Sequence, residues 1–298
     1  METVGCIMCE SPGDRVVVRE NGFQAWRCHS CGVVFVSPRP SREDIAALYE
    51  ADGAVVSCAS LLRPALEKRL QASFTLRRIL PYRAGGRLLE IGAGAGTFLT
   101  AARNAGFESA GMEANPILRD HLRSQGIECP EKLASTYDVI YGCDVLSHFF
   151  DPWSELAVIR EHLGPRGLLV LETGNMGDVH PRFYPRIGRF QLPDHLYFFG
   201  ERSLTRLLTR SGFTVLAVHR FSILPNLWLF RMKNRWRSVG EDHRAGLGVS
   251  RAPAAETPSR RLFGLVVHVL RYGLGSLLPK TGRPQTVLII AEKAESPR

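Results

Sequence analysis

The chain has 298 residues, 45% of them hydrophobic and 22% charged, which admits one full-sized domain with a smaller one and excludes wholesale disorder. Its net charge of +9 is local, because residues 220–283 hold twelve Lys or Arg against three acids while the rest of the chain balances. Residues 1–10 lack the basic lead and apolar stretch of a secretory signal, and the apolar run at 262–278 is interrupted by His268 and Arg271, so neither export nor a membrane span is read and a cytoplasmic protein is expected.

Four of the seven cysteines crowd the first 31 residues; Cys58, Cys129 and Cys143 are scattered. Cys6-x-x-Cys9 and Cys28-x-x-Cys31, with eighteen residues between the pairs, have the spacing of a four-cysteine zinc site. Each pair sets two thiolates on one knuckle, and two facing knuckles make the tetrahedral sulfur cage that zinc favours. Redox Cys-x-x-Cys motifs come singly beside a βαβ unit, so the zinc reading is preferred. Residues 15–27 read as two short strands around a turn at Asn21 and Gly22, which makes residues 1–38 a zinc ribbon. Four thiolates leave no open coordination position, so the metal is read as structural. A unit this small needs it, since structural zinc supplies roughly 10–16 kcal/mol. His29 is read as an exposed polar residue.

Residues 39–83 form a helical lead-in. Ser41 and Asp44 have the capping-box outline before a helix reaching residue 50, and a second helix is predicted over 61–80. From residue 84 the pattern changes to apolar strands at 87–91, 109–112, 137–141, 167–172, 213–218 and 286–290. Helices are predicted at 97–105, 117–124 and 154–163. This alternation predicts an α/β domain over 84–298, a doubly wound Rossmann-like parallel sheet with its ligand at the carboxyl ends of the strands.

Gly92, Gly94 and Gly96 follow the first of these strands, where they allow a sharp turn and close approach of a ligand. A dinucleotide site would use such a loop too. Glu90 weighs against that, because an acid at the strand end repels a pyrophosphate and suits a ligand bearing an amino group and a sulfonium. Glu113, ending the next strand, can accept ribose hydroxyls in either case.

Leu-Leu-Glu-Ile-Gly-Ala-Gly-Ala-Gly-Thr-Phe at 88–98 resembles the first motif of the class I S-adenosylmethionine methyltransferases. The resemblance extends to Gly111-Met-Glu113, to residues 137–148 with Asp151-Pro152, to residues 169–175 and to Asp194-His-Leu-Tyr-Phe-Phe199. One subgroup carries an N-terminal zinc ribbon, and some of its members act on sugars and other small molecules. The resemblance implies that Glu90, Gly92, Gly94 and Gly96 hold the methionine portion of S-adenosylmethionine, that Glu113 holds the ribose, and that Asp144 and Val145 lie under the cofactor. Two departures stand out. The acid near the adenine has no clear counterpart, Glu131 being the candidate, and Ser147-His148 replaces a frequent Glu-His pair.

Methyl transfer is an in-line displacement in which alignment does much of the work, and a base is needed only when the acceptor must lose a proton. His148 and His195 are the candidate bases, each with the competing reading of a structural imidazole. Asp194 and Tyr197 are candidate acceptor contacts, and Asp178 and His180 fall on a loop expected to cover the site.

Residues 221–283 form a basic, partly helical insert before the last strand. An apolar start at 221–228 is followed by Arg231, Lys233, Arg235 and Arg237 interleaved with Met232 and Trp236, a loop at 245–259 and an apolar helix at 260–271 with basic ends. A packed lid, contact with an anionic membrane surface and nucleic-acid contact are its three readings. Three functions follow: methylation of a small-molecule, sugar or lipid-linked acceptor; methylation of RNA; or a non-catalytic cofactor-binding or scaffold role.

Overall fold

The computed structural model describes residues 1–45, 66–180, 190–222, 268–277 and 285–295, with positions 62, 183–184, 258, 262 and 265–266. Positions 223–228 of the insert's apolar start, its basic run, its loop apart from position 258, and 260–261, 263–264 and 267 of its expected helix lie outside the described residues, as do 46–50 of the first expected helix and 61 and 63–65 of the second.

Six strands form the main sheet: β4 (Gly86–Ile91), β5 (Phe107–Met112), β6 (Tyr137–Cys143), β7 (Leu163–Gly174), β9 (Phe213–Ser222) and β10 (Gln285–Lys293). Their order is β5-β4-β6-β7-β10-β9. The four strands β4 to β7 run parallel, whereas β10 runs antiparallel to both β7 and β9. The expectation of a parallel sheet therefore holds for its first four strands. The last strand lies antiparallel beside β9, a pairing that needs no crossover helix.

Alternation along the strands divides the apolar residues between two cores. Leu89, Ile140, Leu169 and Ile289 face one, while Leu88, Val139, Leu168 and Leu288 face the other. Helices α1 (Leu66–Ile79) and α2 (Thr97–Asn104) cover the second core through Phe74, Ile79, Phe98 and Leu99. Helices α4 (Pro152–Glu161) and α5 (Glu201–Arg210) cover the first through Leu156, Ile159, Leu204 and Leu207. The helix α3 (Pro116–Ser124) starts where Asn115 accepts from the amides of Ile117 and Leu118, with Pro116 preset for the first turn. Asp151 and Pro152 start α4 in the same way. The strand order turns at β4, with β5 on one side and β6 on the other, and such a switch point opens a crevice at the strand ends.

The first 45 residues build a second sheet from β1 (Arg15–Glu20), β2 (Phe23–Arg27) and β3 (Val34–Val36). Asn21 and Gly22 both take positive φ, 52° and 82°, as a two-residue hairpin turn of this hand requires. Its fourth strand, β8 (Tyr197–Phe198), comes from far along the chain and pairs with β3. Ser41 and Asp44 exchange hydrogen bonds at the start of a helical turn over 42–45. Within the insert, Tyr272 lies in a short π-helix (Val269–Gly273) and packs against Phe74 and Phe221. Among the described residues no helix is long and apolar enough to cross a membrane.

Candidate active site

The carboxyl ends of β4, β5 and β6 open into a cavity of about 490 Å³, a volume that suits one organic ligand of moderate size. Ile91, Gly92, Met112, Glu113 and Val145 line it, as do Arg119, Glu131 and His148. A smaller cavity of about 150 Å³ adjoins it, lined by Asp144, Ser147 and His195 with the apolar walls Met176, Phe190 and Phe198.

The glycine loop is built to offer carboxylates rather than amides. The N–H groups of Gly92 and Ala93 both donate to Met112 O, that of Gly96 donates to Ala93 O, and that of Gly94 donates to Glu113 Oε2 at 2.8 Å. Glu113 Oε1 accepts from Asn115 N at 2.9 Å, so the carboxylate is fixed from both sides. A phosphate-binding loop needs such amides pointing outward; here they are engaged. A Cβ at Gly92 would sit 2.7 Å from Val145 Cγ1, and one at Gly96 2.7 Å from Leu122, so both glycines serve close packing. One at Gly94 would meet nothing within 4 Å, which leaves that backbone open to a ligand.

Glu90 is buried and its Oε2 has no hydrogen-bond partner among the described residues. Burial, then the neighbouring Glu113 carboxylate, push its carboxyl well above the usual range, while the Lys68 charge and the Leu99 amide act the other way. An orphaned buried carboxyl of this kind is relieved by a cationic partner. The ammonium and sulfonium of S-adenosylmethionine fit that demand, and the open backbone at Gly94 fits its close approach.

Of the expected cofactor contacts, Gly92, Glu113 and Val145 line the larger cavity, Glu90, Gly94 and Gly96 are not among its lining residues, and Asp144 lines the smaller one. Its φ of 55° turns the chain so that Val145 faces the larger cavity while Asp144 faces the smaller one. Burial pushes the Asp144 carboxyl up. Glu172 near the end of β7, to which the sequence assigns no role, accepts from Gln71 (2.8 Å), Thr75 (3.0 Å) and Tyr141 (3.3 Å). It fastens α1 over the strand ends; its position closing an apolar run was the available signal.

His148 and His195 stand between the two cavities, their ring centroids 4.5 Å apart. His148 Nδ1 lies 3.1 Å from Asp194 O and 3.2 Å from Asp194 Oδ1. Asp194 thus sets a carboxylate beside the His148 ring. Ser147 itself donates to Asp144 O, and its carbonyl accepts from Leu196 N. Burial, then the His148 charge, lower His195 to about 4, so its imidazole is neutral at pH 7 and a weak base. Tyr197 does not face the site, because its hydroxyl is buried against the Arg39 guanidinium at 2.6 Å. Asp178 caps α5 by accepting from Glu201 N.

The sulfurs of Cys6, Cys9, Cys28 and Cys31 all lie within 4.8 Å of one another, with separations of 3.3 Å (Cys6–Cys31), 3.4 Å (Cys9–Cys28), 3.6 Å (Cys9–Cys31) and 3.7 Å (Cys6–Cys9). Four thiolates at about 2.3 Å from a tetrahedral zinc stand roughly 3.8 Å apart, so the donor set fits that ion. His29 points outward, with 90% of its side chain exposed.

A family model described as a methyltransferase domain matches residues 65–218. The ubiquinone biosynthesis O-methyltransferase of Ruegeria pomeroyi is 28% identical over 184 residues, covering 52% of this chain and 71% of the relative. Its counterpart in Cereibacter sphaeroides is 33% identical over 109 residues, covering 32% and 44%. Among solved structures, a SAM-dependent methyltransferase from Archaeoglobus fulgidus is similar with a TM-score of 0.47 and 19% identity, over 76% of this chain and 94% of that one.

Proposed function

The chain belongs to the methyltransferase domain family, and on that footing we propose that it methylates a hydroxyl of a small, largely apolar acceptor, with S-adenosylmethionine as donor. The observation that carries this reading is the glycine loop, whose amides are engaged and whose neighbours Glu90 and Glu113 are acidic. Glu90 and the open backbone at Gly94 would hold the amino-acid end of the donor. Gly92, Gly96 and Val145 shape the wall, Glu113 would take the ribose, and Glu131, which lines the same cavity, is the candidate for the adenine. When bound, the donor supplies an electrophilic methyl group on a sulfonium.

The acceptor belongs in the smaller cavity, whose Met176, Phe190 and Phe198 walls favour an apolar ring over an RNA strand or an unsubstituted sugar. His148 takes the hydroxyl proton, with Asp194 holding its Nδ1 and stabilising the imidazolium that forms. His195 is neutral and orients the hydroxyl by hydrogen bonding, and Asp144 borders the acceptor instead of the donor. The O-methyltransferase names of the relatives support oxygen as the methylated atom.

Residues 1–38 form the ribbon in this reading, with Cys6, Cys9, Cys28 and Cys31 on a structural zinc, 39–83 the lead-in and 84–298 the catalytic domain. A lipid-linked acceptor would bring the insert to an anionic membrane surface. Leu262, Leu265, Val266 and Val269 support this, since they are exposed at the spacing of one helical face within the basic segment. A crystal structure with S-adenosylhomocysteine tests the central assignment: contacts to Glu90, Gly94 and Glu113 are expected, and a ligand bound elsewhere would overturn it.

A further inference from the structure

The cysteine ribbon does more than fold beside the catalytic domain. The larger cavity is walled by residues between Ile91 and Phe149, none of them in the ribbon. The smaller cavity takes Met176, Phe190, His195 and Phe198 from the segment after β7, and that segment is tied to the ribbon at three places. On β2, Arg27 donates from Nη2 to Gly177 O and from Nη1 to Val179 O, both at 2.9 Å, and from Nη1 to Tyr184 Oη at 3.3 Å. At the end of β1, Glu20 Oε2 accepts from Phe190 N at 3.0 Å and Leu192 N at 3.1 Å, and Asn21 donates to Leu192 O at 2.8 Å. Directly after Cys31 comes β3, which pairs Val34 with Phe198 and Phe35 with Tyr197, while Val36 N donates to Leu196 O.

These ties are backed by a core of their own. Val18, Ala25, Val34 and Val36 of the ribbon pack with Val179, Tyr184, Phe190, Leu192 and Phe198. A loop with few internal partners keeps its shape only where a rigid neighbour satisfies its backbone groups. Here the neighbour is the ribbon, and the cysteine knuckle at 28–31 leads straight into the strand that flanks His195.

We propose that the ribbon is the clamp of the acceptor-side wall, with Arg27 and Glu20 as positioning residues that hold the backbone at Gly177, Val179, Phe190 and Leu192 in place beside His195, while neither side chain bonds to a residue that lines the donor cavity. The inference rests on the assignment of the smaller cavity to the acceptor. It makes the two ligands separable by experiment: loosening the Arg27 and Glu20 ties acts first on the acceptor side.

The test compares residue-resolved amide hydrogen exchange and the His195 titration by NMR in the full chain, for wild type, Arg27→Met, Glu20→Gln and the control Arg19→Met, whose side chain is exposed on β1. Loss of a charge-assisted hydrogen bond typically shifts local opening by roughly tenfold or more. Arg27→Met is therefore expected to speed exchange around Val179 about tenfold. The milder Glu20→Gln should do so about threefold at Phe190 and Leu192. Both should raise the His195 titration from about 4 toward an ordinary imidazole. Zinc content, measured by mass spectrometry, and S-adenosylhomocysteine affinity, measured by calorimetry, should stay within about twofold of wild type. Unchanged exchange over 177–198 in both variants overturns the proposal, as does faster exchange spread equally through β4 to β6. Failure of the wild type to bind S-adenosylhomocysteine would sink the functional reading instead, and the exchange data would still report on the clamp.

Discussion

His148 Nδ1 and Asp194 Oδ1 meet at 3.2 Å across 46 residues of sequence, one on the turn after β6 and the other just before β8. In the proposed reaction the carboxylate fixes which ring nitrogen carries the proton and would stabilise the imidazolium formed when His148 acts as base. His148→Ala is expected to lower kcat by about 10²–10⁴-fold against a panel of hydroxylated aromatic acceptors. Asp194→Asn should lower it less, by roughly tenfold or more, with KM for S-adenosylmethionine unchanged in Asp194→Asn, whose residue does not line the donor cavity. Full activity in His148→Ala would remove the base from the mechanism.

On the donor side, Glu113→Ala leaves Gly94 N and Asn115 N without their acceptor and removes the group proposed to hold the ribose. A loss of charged hydrogen bonds of this order predicts S-adenosylhomocysteine binding weakened by roughly ten- to a hundredfold. Glu90→Gln should also weaken binding while preserving volume, because the amide cannot balance a cation. Calorimetric titration reads both, and wild-type affinity in Glu90→Gln would show that the orphaned oxygen has another purpose.

Burial lowers the His195 imidazole to about 4 in the folded chain, against an ordinary value near 6.5 when unfolded. Between these values the unfolded chain binds more protons, so stability rises with pH through that window and is lost as pH falls from about 6.5 toward 4. The raised carboxyls of Glu90, Asp144 and Glu172 act in the opposite sense, so the comparison must be differential. Urea midpoints for His195→Asn should fall less on acidification than those of the wild type. Parallel curves would mean that the ring is not held neutral by its surroundings.

Chelation, or Cys9→Ser, tests the metal. One zinc per chain is expected in the purified protein, and its removal should lower the thermal midpoint of the ribbon because metal binding and folding are coupled in so small a unit. A chain with no bound metal and an unchanged melting curve would exclude zinc.

Liposomes containing anionic lipid should co-sediment with the wild type more than with a Leu265→Glu, Val269→Glu double variant, and added salt should weaken the association. Equal sedimentation of the two proteins would remove the membrane from the reading.

The parts of the candidate site that lie close together in sequence are legible in it as neighbours. Glu90, the three glycines and Glu113 occupy two consecutive strand ends, and the alternation of strands and helices fixes where those ends meet. The His148–Asp194 pair could not be read as a pair, since no local pattern links a turn after β6 to a loop 46 residues on. The direction of Asp144 was hidden too, because a positive φ at a residue other than glycine reverses the face that regular alternation assigns. A two-residue strand such as β8 carries no periodicity at all, so the union of the ribbon sheet with the later segment appears only in three dimensions.

The position of β10 in the sheet has a consequence for synthesis. It fills the place between β7 and β9 with Val287, Leu288, Ile289 and Ile290 wholly enclosed, yet more than sixty residues separate it from the end of β9. Until those residues emerge from the ribosome, β7 and β9 each present an unpaired edge flanked by apolar side chains. Such edges invite pairing with other chains. The nascent protein is therefore most exposed to aggregation while its long basic insert is being made, and the like charge of that insert is well placed to keep neighbouring chains apart during the delay.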